Sequence, residues 1–249
     1  MKISVITVAF NAAYTLTDTL QSVASQTHAD IEHIVVDGAS LDGTLDIVAR
    51  HGNHIARLVS EPDKGIYDAM NKGVRLATGD VMAFLNADDM YAHNGVIASV
   101  ASIMEQERLD ALFGDAMFFD AQNPSRVLRH YNSGRFLPEK LAWGWMPAHP
   151  ALFLRREVFE RVGPFRTDYK IAGDFDFIAR AFWRQPLRYR HLSEILVRMR
   201  TGGISTSGWR STLLLNKEVL RACRENGIPT HWLKLLSKYP FKLLEYFGK

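Results

Sequence analysis

The strongest constraint on the fold is a rhythm in the first third of the chain. Short β-branched apolar runs alternate with amphipathic stretches, and each run ends in a polar cluster. The runs are Lys2–Ala9, Ile31–Val36, Leu58–Ser60 and Asp80–Asn86. Between them, Ala12–Ser25, Leu45–Arg50 and Gly65–Leu76 repeat apolar residues at helical spacing, with Leu16, Leu20, Val23 and Ala24 on one stripe and Ile66, Met70 and Val74 on another. This order predicts an α/β fold with a mostly parallel central sheet flanked by helices. In such sheets ligands sit at the carboxyl ends of the strands. Asn11, Asp37, Glu61 with Asp63, and Asp88 with Asp89 fall just past those ends, so the topology is expected to gather them on one edge.

The second half is less regular. Strands are expected at Ala111–Phe119, Pro147–Leu154 and Arg188–Arg200, helices at Arg155–Arg161 and Gly173–Trp183, and a loop at Gly202-Gly203. From Trp209 the pattern is helical, with a break at Gly227-Ile228-Pro229. With 249 residues and 47% hydrophobic side chains, the chain is expected to build one large domain and excludes disordered or collagen-like classes. One cysteine excludes a disulfide framework and a Cys-based zinc cluster, and points to a reducing compartment. No apolar run reaches the roughly 18–20 residues of a membrane span; the start at Lys2–Phe10 reads as a buried strand rather than a signal peptide. A net charge of +3 leans toward anionic partners without the dense Lys/Arg clusters of nucleic-acid binding. Phosphate-loop, dinucleotide, serine-elbow and His-Glu-x-x-His motifs are all missing.

Three carboxylate positions carry the chemistry. Asp88 and Asp89 follow the apolar run through Leu85-Asn86-Ala87. Two adjacent carboxylates there want a counter-ion, and a divalent cation supplies one; the competing reading is a helix cap beside a solvated Asp. Asp37, in Asp37-Gly38-Ala39-Ser40, either accepts a hydrogen bond from a bound base or stabilises its turn. Asp174, with Asp176 at a helix start, is either a general base in a cleft or an ordinary N-terminal charge.

Taken in order, Ile6–Asn11, Val36–Thr44, Ser60–Gly73, Ala77–Asp80, Phe84–Asp89, His149–Phe153 and Gly173–Asp176 resemble the inverting family 2 glycosyltransferases of GT-A fold, over about residues 2–205. The Glu61–Gly73 run is most similar to the branch that builds bacterial O-antigen and exopolysaccharide repeats. The resemblance implies a metal-dependent hexosyltransferase that moves a sugar from a nucleotide diphosphate donor, a UDP-sugar, to a glycan acceptor on a polyprenyl diphosphate carrier. It places Thr7, Val8, Ala9, Phe10, Asp37, Asp63 and Asn71 on the nucleotide, and Asp88 with Asp89 on Mg²⁺ or Mn²⁺. Asp174 becomes the catalytic base, and Asn86, Trp145, His149 and Asp176 contact donor sugar or acceptor. It also implies a cytoplasmic protein, peripheral on the inner membrane. Two positions depart from the family's pattern: Asn86 opens its D-x-D, and Gly173 replaces the acid of its Glu-Asp pair. Two other outcomes follow: a degenerate nucleotide-sugar-binding scaffold, or transfer to polyprenyl phosphate itself.

Residues 206–249 read as a helical tail outside the 1–205 domain. Trp232, Leu235, Leu236, Tyr239, Leu243 and Phe247 recur at helical spacing, and Lys234, Lys238 and Lys242 lie on another face. Such a segment either adsorbs to an anionic membrane or docks on the domain.

Overall fold

The structure is a computed structural model that describes residues 1–184, 186–202 and 208–237. The second glycine of the expected Gly202-Gly203 loop, and the part of the tail carrying Lys238, Tyr239, Lys242, Leu243 and Phe247, lie outside the described residues.

Strands β1 (Ile3–Ala9), β2 (Ile31–Asp37), β3 (Ile55–Ser60) and β4 (Val81–Phe84) are parallel, in the order β3-β2-β1-β4. β1 is buried at every position, as a central strand covered on both faces must be. Helices α1 (Leu16–Ala24), α2 (Thr44–His51) and α3 (Ile66–Leu76) make the crossovers. The α3 stripe is rotated from the expected one: Tyr67, Met70, Asn71 and Gly73 are buried and Ile66 is exposed. The cause is close approach, because a Cβ on Gly73 would collide with Ile6. Likewise α1 turns Thr19 inward and leaves Ala24 exposed.

Beyond β4 the sheet is mixed. β5 (Asp89–Tyr91), α4 (Val96–Gln106), β6 (Ala111–Phe119) and β7 (Val127–Tyr131) follow, then β8 (Leu152–Arg155), α5 (Arg156–Val162), α6 (Gly173–Trp183) and β9 (Tyr189–Arg200). β8 lies antiparallel between β4 and β6, β9 runs parallel to β6, and β5 closes the edge against β9. The strand expected at Pro147–Leu154 begins only at Leu152. His149–Ala151 is a 3-10 turn instead, since Pro150 has no N–H for a ladder.

One core cluster joins Ile6, Val8, Ile34 and Val36 to α3, α5 and α6; a second joins Ile3, Val5, Val81 and Ala83 to α4. Helix α7 (Trp209–Glu225) enters the first of these through Val219, Leu220, Ala222 and Cys223. Residues beyond the boundary expected at 205/206 thus pack on the domain through α7. The short helix α8 (Trp232–Leu236) docks through buried Leu235 beside the 3-10 turn Pro138–Trp143, where Thr230 donates to the Ala142 carbonyl at 2.6 Å.

Candidate functional site

The carboxyl ends of β1 and β2 are joined by a hydrogen-bonded crossing. Gly38 N–H donates to the Ala9 carbonyl at 2.8 Å, Leu41 N–H to Asn11 Oδ1 at 3.0 Å, and Asn11 N–H to Ser40 Oγ at 2.7 Å. Asn11 and Ala39 both hold left-handed backbone, at φ 49° and 60°, a conformation that costs a non-glycine residue energy and concentrates at ligand sites. The crossing leaves Phe10 64% exposed. A Cβ on Gly38 would lie 3.2 Å from that ring and would strike the Asp63 carboxylate. Phe10, Gly38 and Asp63 thus converge on a shelf that only a glycine leaves open.

Asp37 lies beneath the shelf, fully buried. Its Oδ2 accepts from Ser40 N–H (3.0 Å) and Ser60 Oγ (2.7 Å), and its Oδ1 from Ser40 Oγ (2.5 Å). Three donors fix the turn, and Oδ1 accepts only one of them. Thr7 and Val8 are core residues: Thr7 Oγ1 is 3.0 Å from His33 Nε2, and Val8 packs with the α3 cluster. Of the run Thr7–Phe10, Phe10 alone presents a large exposed side chain. Asn71 is a strut and not a nucleotide contact. It is buried, donating through Nδ2 to the Phe165 carbonyl and accepting Phe165 N–H at Oδ1, both at 2.8 Å.

Past β4 the chain makes a turn closed by Asp89 N–H on the Asn86 carbonyl, 3.1 Å. The turn leaves the two carboxylates differently buried. Asp89 is 2% exposed, accepting from Asn86 Nδ2 at 3.0 Å and from the Arg200 backbone N–H. Burial, and then the charge of Asp88, push its carboxyl well above the usual range. Asp88 stays half-buried, and burial raises its carboxyl against the opposing effects of its own backbone N–H and of Arg200. Asn86 Oδ1 is buried without a hydrogen-bond partner. An orphaned amide oxygen beside a carboxylate in need of positive charge fits a hard divalent cation. Among the described residues no group of three His, Cys, Asp or Glu could hold a metal. The oxygen donors Asn86 Oδ1 and Asp88 would suit Mg²⁺ or Mn²⁺ only with phosphate oxygens and water completing the shell. β2 and β4 flank β1, so the ends carrying Asp37 and Asn86 are about 10 Å apart at ordinary strand spacing.

Asp174 sits in the first turn of α6. Its Oδ1 accepts from Phe175 N–H at 2.7 Å and lies 3.5 Å from the Tyr67 hydroxyl. Burial pushes its carboxyl up to about 6, the range in which a carboxylate can exchange a proton near neutrality. Asp176 points the other way: fully buried, it accepts from Arg166, Arg180 and Asn226. That ion-pair network fixes α6 and removes Asp176 from sugar contact. An aromatic row connects the two halves of the site. Phe84 stacks on His149 (5.3 Å) and meets Phe165 edge-on (5.3 Å), and Phe165 stacks on Tyr67 (6.1 Å). His149 is 8% exposed and burial lowers it to about 4, so near neutrality it is an uncharged wall. Trp145 is half-buried, with its backbone N–H donating to the Lys140 carbonyl.

Sequence reasoning missed Tyr67 and Glu218. Tyr67 is in the quoted Glu61–Gly73 run, but its burial against α6 has no local signal. Glu218 acts across 46 to 48 residues of chain.

Residues 4–163 match the family described as glycosyl transferase family 2. A PGL/p-HBAD biosynthesis glycosyltransferase of Mycobacterium bovis (strain BCG / Pasteur 1173P2) is 34% identical over 225 residues, covering 88% of this chain and 82% of the relative. An uncharacterized glycosyltransferase of Nostoc sp. is 32% identical over 176 residues, 66% of this chain and 54% of that one. Among solved structures, S. aureus TarS in complex with UDP-GlcNAc superposes with a TM-score of 0.68 at 20% identity, over 88% of this chain and 67% of TarS. The Pyrobaculum calidifontis mannosyltransferase PcManGT, with GDP-Man and Mn²⁺, superposes at 0.61 and 23% identity, over 88% of this chain and 61% of that one.

Proposed function

The chain belongs to glycosyl transferase family 2, and on that premise we propose that it transfers a sugar from a UDP-sugar to a hydroxyl of a lipid-linked glycan, with inversion at the anomeric carbon. The observation that carries this reading is Asp174, a base of raised pKa at the start of α6, linked through Tyr67, Phe165 and Phe84 to the strand end that bears Asp88. Asp174 takes the acceptor proton as the acceptor oxygen bonds to C1 and the bond from C1 to the diphosphate oxygen breaks. A single displacement of this kind needs no nucleophilic carboxylate.

Phe10 and Asp37 hold the base of the nucleotide, by stacking on the exposed ring and through the free capacity of Oδ1. Asp63 borders the same shelf. Asp88 and Asn86 Oδ1 would hold Mg²⁺ or Mn²⁺, with Asp89 fixing the turn that presents them. When bound, the cation supplies Lewis-acid stabilisation of the charge that develops on the diphosphate.

The acceptor proposed is a polyprenyl-diphosphate-linked glycan in surface polysaccharide assembly, the O-antigen or exopolysaccharide type. The mycobacterial relative is named for PGL/p-HBAD biosynthesis instead, so an acceptor screen has to span both chemistries. No helix of the described residues is long and apolar enough to cross a membrane. We place the protein in the cytoplasm, peripheral on the inner membrane. Support comes from α8, whose Leu233 and Leu236 are 76% and 46% exposed beside half-buried Lys234.

A thermal-shift screen of nucleotide sugars with Mn²⁺ tests the donor, since a ligand of the folded state raises Tm. UDP-sugars raising Tm and being turned over to UDP is the expected result. Binding without turnover across donors and acceptors makes the chain a nucleotide-sugar-binding scaffold.

A further inference from the structure

We propose that the Tyr67 hydroxyl and the Glu218 carboxylate are positioning groups that hold Asp174 from two sides, which makes helix α7 part of the reacting unit. The inference rests on the reading of Asp174 as the base and adds residues from α3 and α7 that this reading does not use.

The segment before α6 is clamped twice. From α7, Glu218 accepts three backbone N–H groups, those of Lys170 (2.9 Å), Ile171 (2.9 Å) and Ala172 (2.8 Å). From α3, the Tyr67 hydroxyl donates to the Ile171 carbonyl at 2.6 Å and has Asp174 Oδ1 within 3.5 Å. Ile171 is thus gripped at its N–H by one helix and at its carbonyl by another. Asp174, three residues on, inherits the resulting direction.

The Tyr67 ring has almost no freedom. It is 4% exposed, and a Cβ on Gly173 would lie 2.7 Å from Cε2 and 2.8 Å from both Cδ2 and Cζ. Glycine at 173 is therefore the steric complement of Tyr67. Glu218, held on the N–H groups of the segment just before α6, acts on Asp174 through its charge.

The two groups act on Asp174 with opposite sign. A phenol has one proton and here two acceptors. Donated toward Asp174, that proton stabilises the carboxylate; once Asp174 has taken the acceptor's proton, it is free to stay on the Ile171 carbonyl. Burial is what chiefly raises Asp174, and the negative charge of Glu218 adds to it in the same direction by disfavouring the ionised form. Of the side chains that act on Asp174, Tyr67 comes from α3 and Glu218 from α7. On α6 itself, Asp176 is committed to Arg166 and Arg180, and His149 in the aromatic row is uncharged near neutrality.

The test titrates the Asp174 carboxyl carbon by NMR in the full chain, identifying its resonance by loss in Asp174→Asn. The variants are Tyr67→Phe, which keeps the ring against Gly173, and Glu218→Gln, which keeps a capping oxygen. The midpoint should rise in Tyr67→Phe, by about half a pH unit or more, and fall in Glu218→Gln by a smaller amount. In transfer assays Tyr67→Phe should lose about ten- to hundredfold in kcat with the donor KM unchanged. An unmoved midpoint in Tyr67→Phe, or shifts of the same sign in both variants, overturns the proposal. Because the titration needs no turnover, opposite shifts in a chain that transfers no sugar would uphold the clamp and reject the base assignment alone. Should Glu218→Gln unfold, the Tyr67→Phe titration decides.

Discussion

Asn71 and the backbone of Phe165, 94 residues apart in sequence, are joined by a reciprocal pair of 2.8 Å hydrogen bonds. The amide of a single side chain takes the place of a strand pairing there. It ties α3 to the loop before α6, and so ties the half of the molecule bearing Asp37 and Asp88 to the half bearing Asp174. Replacement by Ala leaves a buried N–H and a buried C=O unpaired. Asn71→Ala should destabilise the fold by about 2–4 kcal/mol, as measured by urea unfolding. Its affinity for UDP, measured below the unfolding transition, should match the wild type; lost affinity with unchanged stability would return Asn71 to the nucleotide site.

Asp88 and Asp89 are neighbours that differ in burial and in partners. Asp88→Asn should abolish the Mn²⁺-dependent part of UDP affinity, read by calorimetry with and without chelator, and leave Tm nearly unchanged. Asp89→Ala strands Asn86 Nδ2 and the Arg200 N–H, at a cost of about 1–3 kcal/mol in stability. A stable Asp89→Ala that has lost its metal response would exchange the two roles.

His33 makes the fold acid-sensitive. Its Nε2 meets Thr7 Oγ1 at 3.0 Å and its Nδ1 meets His54 Nε2 at 2.9 Å, and burial, then the charge of His54, lower it to about 3. Between pH 6.5 and 3 the unfolded chain binds a proton here that the folded chain does not, so stability is lost as pH falls through that window. The slope from this group is at most about 1.4 kcal/mol per pH unit. Urea unfolding at pH 7, 6 and 5 should show the wild type losing its margin over His33→Gln as the solution is acidified. Parallel curves would contradict this.

The exposed face of α8 should bind anionic vesicles. Leu235 points inward and Lys234 Nζ lies 5.6 Å from the Trp143 ring, while Leu233 and Leu236 are exposed. Replacing both exposed leucines by Glu should reduce co-sedimentation with phosphatidylglycerol vesicles about tenfold or more, through lost apolar burial and added repulsion. An unchanged Tm would show the fold intact, and unchanged sedimentation would exclude α8 as the anchor.

The elements with clean periodicity or a clear edge were legible in the sequence. β6 and α6 appear at the bounds expected for them, Ala111–Phe119 and Gly173–Trp183. β5 is only Asp89–Tyr91 and opens on a carboxylate, and β7 (Val127–Tyr131) has no fully buried residue, so neither has an apolar signature. At the site, polar residues at strand ends could be listed from sequence, but not where each side chain points. Thr7, Asn71 and Asp176 turn inward because His33, Phe165, Arg166 and Asn226 are placed opposite them by tertiary packing. Only the Asp176–Arg180 pair, at helical i,i+4 spacing, carried a local sign of an internal role.

The most direct measurement compares UDP release from a UDP-sugar, in the presence of Mn²⁺ and acceptor, by the wild type and by Asp174→Asn, with UDP affinity determined for both. The account predicts turnover by the wild type, a loss of about a thousandfold in the variant, and UDP affinity that agrees within about threefold. Turnover retained by Asp174→Asn, or nucleotide affinity lost together with activity, would contradict the assignment of Asp174 as the base.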